Sequence, residues 1–273
     1  MHSIFEALAS FRIDGFPLWI ILLVCVGVFL ASFMDAIAGG GGIISTPTYM
    51  MAFSGHPLYY AMGTGKFSSY IGTLASTARF IRQGYVTWKL VAPAAVVSLL
   101  SGYLGAWLQL RTPETVLKYM LLVVLPVVAF ITLKGREWPE EPEPMEFGRQ
   151  LLIVCLIALV TGVYNGYYGP GTGTFLMISF IHLARMDPRH AAGNVKIINL
   201  ASDCGSMITA LLAGYVFLRV GLIAAAVSML GHYIGSGLAI KNGSRIVRPT
   251  VILVLILLTL KVGSELLFPN LWG

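Results

Sequence analysis

The chain has 273 residues, of which 57% are hydrophobic and 11% charged, with a mean hydropathy of +0.81. A soluble domain carries roughly 25% charged residues, so this composition excludes an ordinary soluble fold and points to a polytopic membrane protein. The net charge of +6 does not indicate nucleic acid, because the basic residues sit in short loops between apolar runs, where the positive-inside rule uses them.

The first apolar run, residues 17–34, continues to Ala38. Ala36-Ile37-Ala38 mimics a signal-peptide cleavage site, but Glu6 and Asp14 precede the run, and its pattern recurs later in the chain; it reads as a retained segment. Four glycines follow, Gly39, Gly40, Gly41 and Gly42. Next come a short apolar stretch at 43–54 and a segment containing Gly63-Thr64-Gly65-Lys66. A phosphate loop is rejected there, because Tyr60 and Phe67 replace the residues it requires. Apolar runs at 90–110 and 116–133 complete the first half. The acidic, proline-rich stretch KGREWPEEPEPMEFGRQ follows and reads as a solvated linker. Further runs of about 20 apolar residues cover 150–165, 220–240 and 249–268.

Sliding the sequence by about 130 residues lays one half over the other. FMDAIAGGGGIISTP falls on VYNGYYGPGTGTFLM, AMGTGKFSS on AAGNVKIIN, and SLLSGYLGAWL on SMLGHYIGSGL. The loop charge alternates between equivalents. Loop 79–89 carries Arg79, Arg82 and Lys89, whereas its counterpart 209–219 has only Arg219; loop 184–190 carries Arg185 and Arg189, whereas its counterpart 54–60 has neither Lys nor Arg. This predicts two inverted repeats, a first at 1–133 and a second at 150–273, joined by a cytoplasmic linker at 134–149. The expected fold is all-α, with about five segments per repeat and both termini outward, in the cell inner membrane. One segment in each repeat is short, about 43–54 and 173–184, too short to span unaided, and each follows a glycine-rich turn.

These turns predict a site. Non-helical backbone inside a membrane is tolerated where it is buried in protein or lines a wet cavity. A helix starting after Gly42, and another after Gly169-Pro170-Gly171-Thr172-Gly173, would aim free N–H groups at such a cavity, which suits an anion. The competing reading of both turns is tight helix packing. Lys66 and Lys196 occupy equivalent positions in otherwise apolar or small-residue segments. An intramembrane Lys costs about 2.5–3.5 kcal/mol on insertion scales, so the pair reads as functional, with snorkelling to the interface as the alternative. Ser69 follows Lys66, and Asn199 and Asp203 follow Lys196, at spacings that share a helix face; Asn194 stands near the start of its helix as a possible donor. Asp35 and Asp203 are read either as coupling acids or as charge partners of the lysines.

The stretches DAIAGGGGIISTP, Thr64-Gly65-Lys66 and GYYGPGTG carry a resemblance, extending over nearly the whole chain, to the sulfite exporter TauE/SafE family, also called the toluene sulfonate uptake permease family, and within it the YfcA-like branch. In that branch an aspartate precedes GFFGP; Asn165 stands here instead. The resemblance implies uptake or export of sulfite or an organosulfur anion. The expected function is alternating-access transport of a small oxyanion, with an anion channel and an intramembrane enzyme as rivals. The enzyme is disfavoured because HExxH and GxSxG are absent. The expected partners are a small anion and the lipid bilayer, with no nucleic acid, cofactor or metal. The three cysteines form no CxxC spacing. Two lysines and two helix N-termini converging on one site would best suit a doubly charged anion, or a sulfonate with a second acceptor group.

Overall fold

The computed structural model describes residues 12–113, 115–117 and 145–242. Most of the predicted span at 116–133, most of the 134–149 linker and the span at 249–268 lie outside the described residues.

A two-stranded hairpin, β1 (Arg12–Ile13) and β2 (Phe16–Pro17), opens the described chain. Asp14 and Gly15 turn it with φ of 52° and 86°, the left-handed pair a tight hairpin needs. Helix α1 (Leu18–Ala38), short helix α2 (Gly42–Ala52), and helices α3 (Leu58–Arg82) and α4 (Trp88–Leu110) follow. The second half repeats the order with α5 (Phe147–Tyr167), short helix α6 (Thr172–His182), α7 (Pro188–Leu212) and α8 (Leu218–Asn242). Helix starts are set locally. Asp187 accepts from the backbone N–H of Arg189 (3.1 Å) and His190 (3.2 Å), with Pro188 in the first turn where its missing N–H costs nothing. The Asp14 carboxylate serves α8 from the hairpin turn, accepting from the N–H of Arg219 and Val220.

Among the described residues, α1, α4, α5, α7 and α8 are long and apolar enough to cross a membrane. Their outer faces are apolar at helical spacing. Leu22, Val26 and Leu30 on α1, Val96, Leu100 and Leu104 on α4, and Leu152, Leu156 and Val160 on α5 are all exposed, as suits lipid rather than water. Trp19 and Trp88, exposed at the starts of α1 and α4, stand where an aromatic belt would lie. The interior combines a hydrophobic core, with Phe53, Phe80, Leu176 and Phe180 fully buried, and small polar residues between helices: Ser32, Thr64, Ser76, Ser98, Ser202 and Ser206 are buried as well. Small residues let membrane helices approach closely, and interior hydroxyls can bond across helices.

The two halves interlock. Helix α1 packs on α8 and α4 on α5; α3 packs on α8 and α4 on α7. Helices α3 and α7 run antiparallel, and equivalent residues make reciprocal contacts. A Cβ on Gly63 would lie 2.2 Å from the carbonyl oxygen of Tyr215, and one on Gly193 would lie 2.1 Å from that of Tyr85. In the same way, Thr64 Oγ1 accepts the Phe217 N–H at 3.0 Å, and Asn194 Oδ1 accepts the Thr87 N–H at 2.8 Å.

Candidate functional site

Gly39 ends α1 in the left-handed region (φ 75°), its N–H bonded to the Asp35 carbonyl at 2.8 Å. The chain then doubles back into α2. The second turn does the same between α5 and α6, with Gly169 at φ 95° and Gly171 at φ 82°. The turns pack directly against each other. A Cβ on Gly39 would lie 2.3 Å from the Gly173 carbonyl carbon, and one on Gly173 would lie 2.5 Å from Gly39 Cα. The Thr174 N–H donates to the Gly39 carbonyl (3.0 Å), and its hydroxyl to that of Ala38 (3.0 Å). At these positions, therefore, glycine is required for backbone-on-backbone packing.

That contact gives a prediction. Gly39→Ala combines left-handed strain with a collision, whereas Gly214→Ala has the same φ of 75° but nothing within 4 Å. The Gly214 variant is expected to lose about 1–2 kcal/mol and the Gly39 variant clearly more, read as a larger drop in thermal unfolding temperature in detergent. Equal drops would mean that the two turns are not tightly apposed.

A cavity of about 80 Å³ lies beside the paired turns, room for several waters or one small ion. Of the residues expected from sequence, Asp35, Gly39, Gly41, Gly42, Lys66, Ser69, Gly169, Thr172, Asn199 and Asp203 line it. Gly40, Gly171, Asn194 and Lys196 do not line it. Asn194 ties α7 to Thr87 and also contacts Met186 Sδ at 3.2 Å, so its amide is spent on helix packing. The first amides of the short helices bond locally: the Gly41 N–H to Asp35 Oδ1 at 3.2 Å and the Thr172 N–H to the Gly169 carbonyl at 3.2 Å. Among the described residues, the next amides, of Gly42 and Gly173, have no acceptor, and both glycines line the cavity.

The lysines are paired across the halves. Lys196 Nζ donates to Asp35 Oδ2 at 2.9 Å and also to the Asp35 backbone carbonyl. An acid in the last turn of α1 opposes the helix dipole; the Lys196 ammonium offsets it and adds a second donor to the Asp35 carbonyl, which already accepts the Gly39 N–H. Lys66 stands likewise at the end of α5. Its Nζ donates to Asn165 Oδ1 at 2.7 Å and to Asp203 Oδ1 at 3.0 Å. Asn165 occupies the position in its half that Asp35 occupies in the other, and its Nδ2 donates to Asp203 Oδ1 at 2.8 Å. The carboxylate that neutralises Lys66 thus comes from α7 rather than from the turn itself. The two pairs are unequally buried: the Lys196 side chain is 1% exposed and that of Lys66 16%. The four charges sum to zero, so the surplus positive charge that favoured a doubly charged anion is not there.

Sequence reasoning missed several cavity residues. Tyr49 and Ser68 join hydroxyls at 2.6 Å, and Ser32 and Ser228 at 2.7 Å. His232 lines the wall, with Nδ1 3.1 Å from Ser76 Oγ and Nε2 3.9 Å from Asp35 Oδ2. The signal for His232 was available, because it is an ionisable residue inside the apolar run 220–240. Asn199 is the opposite case. It is 7% exposed, and its Oδ1 is buried without a partner on the cavity wall. Such orphaned groups are uncommon in folded proteins.

The comparisons with known proteins agree with one another. The family model described as sulfite exporter TauE/SafE matches residues 23–262. A probable membrane transporter protein, ORF9, of Sinorhizobium sp. is 33% identical over 251 residues, covering 90% of this chain and 94% of that protein. A probable membrane transporter protein of Haemophilus influenzae is 30% identical over 240 residues, covering 88% and 92%. The probable membrane transporter protein YfcA of Escherichia coli K12 is 26% identical over 244 residues, covering 87% and 89%. No solved structure matches the chain.

Proposed function

Since this chain belongs to the sulfite exporter TauE/SafE family, a family of membrane transporters rather than enzymes, we propose that its central cavity carries a small oxyanion across the inner membrane by alternating access. Sulfite is the anion that the family description names, and an organosulfur anion is the related candidate. The observation that carries this reading is one small cavity lined by Lys66, the Asn199 amide and the starts of both short helices. The Gly42 and Gly173 amides are fixed donors, and the helix ends add positive partial charge. A half-turn of the Asn199 carboxamide presents its NH2 group to the same space. Lys66 supplies three N–H bonds, of which two are already used by Asn165 and Asp203.

We read the halves as inverted repeats. Antiparallel α3 and α7 and their reciprocal glycine contacts support this, as does the loop charge. The α3–α4 turn meets the start of α7 through Thr87 and Asn194, so Arg79, Arg82, Lys89 and Arg189 gather at one end. With that end cytoplasmic, the hairpin before α1 faces outward beside the start of α8; the apolar run at 249–268, read from sequence as a further span, then returns the C-terminus outward.

Counterflow in proteoliposomes tests the function. Vesicles preloaded with sulfite, thiosulfate or a sulfonate are expected to accelerate uptake of the labelled anion several-fold over empty vesicles. Uptake without trans-acceleration indicates a channel, and no uptake of any of these anions removes the reading.

A further inference from the structure

We infer that each anion crosses together with a proton, and that Asp203 is the group that takes the proton up when the anion reaches Lys66. The inference rests on the transport reading and names its coupling.

It begins with the difference between the two lysine pairs. Asp35 is tied to the turn it precedes: it holds the Gly41 N–H and is held by Lys196, which is almost wholly buried and off the cavity. Asp203 lies on another helix. It lines the cavity, as does Lys66, and apart from Lys66 it is held by Asn165 Nδ2 at 2.8 Å and by Ser69 Oγ at a long 3.4 Å. The repeat places an amide, Asn165, where a fixed acid stands in the other half, so the charge opposite Lys66 is carried by a cavity-lining residue.

The ammonium of Lys66 is held between Asn165 Oδ1 and Asp203 Oδ1. It sits 2.9 Å from where a Cβ on Gly169 would be, so it is packed against that backbone. An anion that bonds its remaining N–H arrives beside an ionised Asp203 in an enclosed site. Two like charges sharing a site raise the proton affinity of one of them. The other titratable or charged groups on the cavity wall are Asp35 from α1, Tyr49 from α2, Tyr168 after α5 and His232 from α8; α4 and α6 present none. Asp35 is already compensated by Lys196, and His232 lies 3.9 Å from Asp35 and is hydrogen-bonded to Ser76. Asp203 is therefore the carboxylate whose partner the anion takes. A proton from water adds to the Asp203 carboxylate as the anion binds and returns to water on the far side as it leaves. The loaded site then carries the same net charge, for a monovalent anion, as the empty one.

The test measures protons directly. Purified protein in weakly buffered detergent with a pH indicator is titrated with sulfate, thiosulfate or methanesulfonate, none of which changes its own charge near neutrality. The parent is expected to take up about one proton per anion bound, and its apparent affinity to fall by up to about tenfold per pH unit on the alkaline side. Asp203→Asn is expected to bind anion with no proton uptake and no pH dependence. Anion binding by the parent without proton uptake overturns the coupling and leaves the transport reading standing. Proton uptake that persists in Asp203→Asn also overturns it, by placing the proton on Asp35 or His232. Failure of the parent to bind or exchange any anion removes both readings.

Discussion

Lys66→Met is expected to abolish anion binding and transport while the protein still inserts in the membrane. One charge-assisted hydrogen bond contributes about 1.5–3 kcal/mol, which is about 10- to 100-fold in affinity. The variant loses more than that bond, because Asp203 now faces the anion without its cation. A loss of at least about 100-fold is therefore expected. A lone buried charge also destabilises the fold, so the single variant alone is ambiguous. Lys66→Met with Asp203→Asn removes both members of the pair; it is expected to unfold near the parent's temperature and still fail in counterflow. Lys89→Met is the control, an exposed lysine beside the α3–α4 turn, and should transport like the parent. Should Lys66→Met exchange anions at the parent rate, Lys66 is a charge partner only and the anion binds elsewhere.

Lys196→Met is expected to fail differently. Its ammonium is 1% exposed, does not reach the cavity and serves the end of α1. Removing it leaves the Asp35 carboxylate without a cation beside the negative end of a helix dipole, and takes one of two donors from the Asp35 carbonyl, which keeps the Gly39 N–H. Breaking a buried pair by deleting one partner costs about 3–5 kcal/mol. Asp35 retains 17% side-chain exposure, which places the expected loss at the lower end of that range. Low yield, a lowered unfolding temperature and a broadened size-exclusion peak are the expected observations. Lys196→Met with Asp35→Asn should recover most of the stability, because the amide carries no charge to strand. If Lys196→Met instead unfolds like the parent but no longer binds anion, Lys196 faces the substrate, as its equivalence to Lys66 in the repeat suggests.

The contrast between these lysines marks where sequence reasoning stopped. Composition and apolar runs determined the membrane class, because partition into a bilayer depends on local, nearly additive hydropathy. The repeat and the two glycine turns were legible for the same reason: a break in a helix is written in the residues that make it. The short helices α2 and α6 begin within a residue of where the turns placed them, at Gly42 and Thr172. The role of each lysine was not legible. The repeat gives Lys66 and Lys196 nearly equal sequence contexts, so it predicted equal roles. Their partners lie 137 and 161 residues away, on helices whose register and depth only packing decides. Packing also spent the Asn194 amide on Thr87, brought His232 to the cavity from a helix read as plain span, and left Asn199 without a partner. The glycines show both levels at once. Their presence between apolar runs announced a turn, whereas the need for glycine at Gly39 comes from the backbone of Gly173, a contact that exists only once the two halves have met.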